Sequence, residues 1–201
     1  MIQKISLVII IMTLIVFTSC DDSEKNKYET TKLDEVVQKV EVNKVITKQE
    51  VLDIQNIWSN GIIRIGKVYT EKGDYKTEAE NHINALYGYN LGKVLFKPTL
   101  ASETQFRLTK EGALSYFVGH NENFSEDHGF AINPWINIRW ESIGIKIEGN
   151  MAIAMGNYYF TPADGGEDVK VEYTFAYTKD EDNKLRIIMH GSHLPYSPNN
   201  K

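Results

Sequence analysis

The sequence predicts an α+β domain, with N-terminal helices packed on a curved antiparallel sheet. Three observations point to it. Apolar residues in the first third of the domain recur at helical spacing, at Val51, Ile54, Ile57, Trp58, Ile62 and Ile65. Later the period becomes two: Val169, Val171, Tyr173, Phe175 and Tyr177 alternate with Lys170, Glu172, Thr174, Ala176 and Thr178. Polar turns separate the extended stretches, so that helices are followed by an antiparallel meander.

In chain order, the first element is not part of that domain. Lys4 precedes the apolar run from Leu7 to Phe17, and Thr18 and Ser19 stand immediately before Cys20. The run is short of the ~20 residues that a membrane-spanning helix needs and suits a signal segment. The pattern resembles a lipobox. We therefore expect residues 1–19 to be a cleaved lipoprotein signal peptide and Cys20 to carry lipid, with residues 20–49 as a charged, flexible tether. That places the protein at the cell envelope, anchored to a membrane. Cys20 is the single cysteine among 201 residues, so no intramolecular disulfide is available and the domain, residues 50–197, must rely on its core.

Within the domain, Thr47 and Glu50 form a capping box that opens a helix running from about Lys48 to Tyr69. Glu71, Lys72 and Gly73 break it. Asp74 caps a second helix with Ala79, Ile83 and Leu86 on one face, ended by Gly88 and Gly92. Lys93 to Lys97 reads as a strand stopped by Pro98. Thr109 opens a short helix to Phe117. Phe130 to Ser142 is mostly extended, and Gly144–Glu148 pairs with Met151–Thr161 around Gly149 and Asn150. The last hairpin joins Val169–Tyr177 to Leu185–His190 through the turn Lys179–Asn183. The net charge of -5 and the lack of a basic stripe argue against a nucleic-acid partner.

Candidate chemistry is sparse. None of the histidines, His82, His120, His128, His190 and His193, forms a helical pair or a metal-binding run. In an extended segment His190 and Ser192 share one face, whereas Gly191 and His193 lie on the other. Asp127 and Glu172 are further acid–base candidates without a strong placement.

Several ordered blocks carry a more specific signal. These are Leu86-Tyr-Gly-Tyr89, Val94-Leu-Phe-Lys-Pro-Thr99, Ser115-Tyr-Phe-Val118, Phe130 to Trp135, Met155-Gly-Asn-Tyr158 and Val171-Glu-Tyr-Thr-Phe175, followed by His190-Gly-Ser-His193. Together they resemble the iota-class carbonic anhydrases of the NTF2-like superfamily, which are related to the calmodulin-dependent kinase II association domain.

The resemblance implies a cone-shaped α+β fold and reversible hydration of CO₂ to bicarbonate. It implies no cofactor, with manganese or zinc as the alternative, and a homodimer. By motif, the family's active threonine falls on Thr99, its tyrosine on Tyr116, its first histidine on His190 and its serine on Ser192. The family's His-His-Ser-Ser reads His190-Gly191-Ser192-His193 here, so its second histidine is missing. In this reading Thr99, Tyr116 and Ser192 bind substrate and His190 acts as general base. The competing readings are a non-catalytic ligand-binding or oligomerisation domain, and an isomerase or cyclase acting on a larger molecule.

Overall fold

The computed structural model describes residues 45–198. The expected signal peptide, Cys20 and almost all of the tether lie outside the described residues. The domain begins at its edge with a buried Ile46.

Helix α1 spans Lys48–Thr70, and its capping box forms as expected: the Thr47 side chain accepts from the Glu50 backbone N–H, and the Glu50 carboxylate accepts from the Thr47 N–H. Its buried stripe is Val51, Ile54, Trp58, Ile62 and Ile65, each separated by three or four residues. Helix α2, Tyr75–Leu86, starts at the Asp74 cap. It ends at Tyr87, not at Gly88, because Tyr87 turns extended and bridges to Ile187. Strand β1 is short, Leu95–Lys97, and helix α3 covers Lys110–Val118 behind its Thr109 cap.

Four longer strands follow: β2 Trp135–Glu148, β3 Met151–Pro162, β4 Val169–Lys179 and β5 Leu185–His193. The sheet order is β1-β5-β4-β3-β2, antiparallel except for the parallel β1/β5 pair. The segments expected to be separate on either side of Ser142 form one strand. A register shift between Ser142 and Gly144, a β-bulge, lets β2 bend without stopping. Phe130–Ile132 is a single 3₁₀ turn that precedes β2.

Helix α1 lies against the inner face of the sheet. Trp58 stacks on Tyr158 from β3 with ring centroids 5.8 Å apart and meets the edges of Trp140, Phe160 and Phe175. Along β3 the alternation is strict: Ala152, Ala154, Tyr158 and Phe160 are buried, while Met151, Ile153 and Met155 are exposed. The inner face is therefore aromatic and dry. That is the setting in which any polar group must find a partner.

Candidate active site

The site is built by the β1/β5 register. Phe96 pairs with His190 and Lys97 with Gly191, so the chain leaving β1 through Pro98 carries Thr99 alongside the end of β5. Alternation along β5 buries His190 and Ser192 and leaves His193 exposed. Thr99 Oγ1 donates to Ser192 Oγ across 2.9 Å, joining two residues 93 positions apart. Both partners are hydroxyls, so the direction of this bond can reverse by rotation of the two O–H bonds.

Thr99 and Tyr116 face a cavity of about 410 Å³ whose wall also includes Asp127, His128, Phe130 and Phe160. Tyr116 reaches it from α3, the helix capped by Thr109 and ended by Gly119 at φ 67°. The Leu100 backbone N–H donates to the Tyr116 hydroxyl at 3.5 Å. Burial pushes the Tyr116 phenol well above its ordinary value, so it keeps its proton and acts as a donor.

His190 sits behind this wall rather than on it. Its ring is sandwiched by Phe175 and Phe96, with centroids 4.0 and 4.7 Å away, and meets Trp58 edge-on. Tyr87 OH lies 2.9 Å from Nδ1, and Tyr158 OH lies 3.4 Å from Nε2. The tautomer follows from Trp58. Its indole N–H donates to Tyr87 OH at 2.9 Å, which leaves the Tyr87 proton for His190 Nδ1 and the ring proton on Nε2, facing Tyr158. A chain of hydrogen bonds thus runs from Trp58 through Tyr87 and His190 to Tyr158; the Thr99–Ser192 pair is separate from it, and only Thr99 of that pair lines the cavity.

Burial lowers the His190 pKa to about 3. The imidazole is neutral at neutral pH and too weak a base to take a proton from water efficiently. A neutral ring of such low basicity is better suited to orient its hydroxyl partners, Tyr87 and Tyr158, than to take a proton. Desolvation among three aromatic rings is the reason.

Two acidic residues hold the loop around the cavity. Glu126 accepts from the backbone N–H groups of Ser102, Glu103 and Thr104 at 2.7, 3.0 and 2.8 Å, which fixes the segment after Thr99. Those backbone donors, led by Glu103, pull its pKa down to about 2. Asp127 is buried; it accepts from Arg107 Nη2 at 2.7 Å and from Ser115 Oγ at 2.6 Å. Asp127 is therefore committed to an ion pair, and Glu172 is exposed on the outer face, so neither supplies the deep acid–base group that an isomerase would need. Tyr87, Tyr158 and Trp58 are the site residues whose polar roles the sequence reading missed. Two of them lie in the ordered blocks, and that was the available signal.

The fold and site together define an α+β pocket protein whose cavity sets the hydroxyls of Thr99 and Tyr116 beside the ionisable side chains of Glu126, Asp127 and His128. Among the described residues, no group of three or more His, Cys, Asp or Glu side chains is placed to hold a metal ion. A family model described as metal-independent carbonic anhydrase matches residues 49–194. A metal-independent carbonic anhydrase from Nostoc sp. is 45% identical over 158 residues, 77% of each chain. The crystal structure of an iota-carbonic anhydrase from a cyanobacterium, complexed with bicarbonate, matches with a TM-score of 0.74 and 44% identity, over 77% of this chain and 95% of that one. An NTF2-like superfamily protein from Salmonella enterica matches with a TM-score of 0.42 and 13% identity, over 76% of this chain and 94% of that one. The chain belongs to the metal-independent carbonic anhydrase family.

Proposed function

We propose that this protein catalyses the reversible hydration of CO₂ to bicarbonate without a metal, in the cavity walled by Thr99 and Tyr116. The observation that carries the reading is the Thr99 hydroxyl on that wall, hydrogen-bonded to the buried Ser192 behind it, in a chain of this family. Water attacks the carbon of CO₂, and charge develops on the CO₂ oxygens. Tyr116 O–H donates to one of them. Thr99 donates to the other or holds the attacking water, with Ser192 setting its hydroxyl. Such prepositioned donors in a water-poor site stabilise the developing charge by several kcal/mol. The substitution of the family's second histidine by Gly191 does not empty the cavity, because Gly191 lies on the opposite face of β5 from His190 and Ser192.

Stopped-flow CO₂ hydration tests this reading. Wild-type protein should exceed a Thr99→Ala/Ser192→Ala double variant by about 100-fold or more. Equal rates would overturn it.

The finer parts of the reading have separate supports. The run ending in Thr18-Ser19-Cys20 supports a lipid anchor at the cell envelope. A Cys20→Ala variant should then leave the membrane fraction; one that stays membrane-bound would refute the anchor. Exposed Ile143, Met151, Ile153 and Met155 form an apolar outer face on β2 and β3 and support a homodimer through the sheet. Ile153→Lys should shift the protein to a monomer in sedimentation velocity.

A further inference from the structure

Hydration of CO₂ makes one C–O bond and breaks one O–H bond of the attacking water, so each turnover yields bicarbonate and one proton that must leave the cavity. The groups on the wall are poorly suited to carry it. Glu126 is held as an anion by three backbone N–H donors. Both oxygens of Asp127 are taken, by Arg107 and Ser115. Tyr116 keeps its proton, and His190 lies behind the wall among aromatic rings.

The remaining titratable group on the wall is His128. It lines the cavity and is exposed to solvent as well. Imidazole is the side chain best suited to accept and release protons near neutral pH. We propose that His128 is the proton-transfer residue of this enzyme: it accepts the proton from the attacking water through water in the cavity, becomes imidazolium, and releases the proton to buffer outside.

The backbone on either side of His128 is fixed in a way that suits this task. Asp127 is buried and doubly bonded. Gly129 has φ 86°, and a Cβ there would come within 2.6 Å of Ile132 Cγ1 and 2.9 Å of the Val118 carbonyl carbon. An exposed side chain is thus presented from an anchored loop. The other exposed histidines do not reach this cavity. His120 lies in a groove at the end of α3, and His193 lies on the outer face of the sheet.

This inference rests on the carbonic anhydrase reading. The test compares wild type with His128→Ala by stopped-flow hydration in dilute buffer, by the same assay with added imidazole, and by oxygen-18 exchange between CO₂ and water. The variant should lose about tenfold or more of its hydration rate in dilute buffer and regain it with imidazole. Its CO₂–bicarbonate interconversion at equilibrium, read from the isotope exchange, should fall and recover with imidazole in parallel, because the same water proton is removed as the C–O bond forms. A variant as fast as wild type in dilute buffer, or a loss that imidazole does not restore, would overturn the role of His128 while leaving the carbonic anhydrase reading intact. An inactive wild-type protein would instead remove both.

Discussion

A phenol that burial holds in its protonated form donates a hydrogen bond to an anionic ligand, and that determines what Tyr116 contributes. Its ring stacks on Phe130 with centroids 5.6 Å apart and meets Phe96 edge-on, so the ring alone maintains the packing. Tyr116→Phe should therefore reduce kcat by about 100-fold and change stability by no more than about 1 kcal/mol, as measured by stopped-flow hydration beside urea unfolding. A comparable loss in both would mean that the hydroxyl is structural. At this scale Thr99 and Ser192 were legible because an ordered block and a period of two give each a position. The state of His190 was not. Its inward direction follows from alternation, but its pKa depends on rings from β1, β4 and α1 that only the folded chain brings together. The same holds for Tyr87, whose hydroxyl partner lies 103 residues away.

The hairpin of β2 and β3 shows how an element can hide a break. Ser142, Ile143 and Gly144 read as the end of one strand and the start of another, whereas the bulge carries β2 through them. Gly156 sits opposite that bulge. A Cβ at Gly156 would fall 2.1 Å from the Glu141 carbonyl oxygen and 2.9 Å from the Ile143 nitrogen, both backbone atoms that cannot swing away. Gly156→Ala should destabilise the domain by about 3 kcal/mol. Gly144→Ala, with nothing within 4 Å of its Cβ, should stay within about 0.5 kcal/mol of wild type. Urea midpoints of the two variants check the contrast, and equal midpoints would show that β2 gives way at the bulge. The helices were more legible than this hairpin because their caps are local: Thr47, Asp74 and Thr109 each accept a backbone N–H three residues on. A bulge is a property of two strands and has no comparable signature in either.

Across the whole molecule, the burial that makes the inner face dry also makes the fold sensitive to acid. Two histidines are enclosed without charge. Burial lowers His82 from 6.5 to about 4 and His190 from 6.5 to about 3. As pH falls below 6.5 the unfolded chain binds a proton on each imidazole, while the folded chain resists until those lower values. The folded state thus binds fewer protons throughout this window, and its stability declines as pH falls. Each histidine contributes about 1.4 kcal/mol per pH unit, so the pair removes roughly 5 kcal/mol between about pH 6.5 and pH 4.5. That is comparable with the whole stability of a modest domain, about 5–15 kcal/mol. Carboxylates act in the same direction at still lower pH: Glu126, at about 2 in the folded chain, loses its backbone contacts only when protonated. Urea unfolding across this range should show a steep loss of stability corresponding to nearly two protons, and a His82→Gln/His190→Gln double variant should show a flatter slope whatever its absolute stability. A wild-type stability that stays level down to about pH 4.5 would mean that water reaches these rings, and the neutral, orienting role of His190 would fall with it.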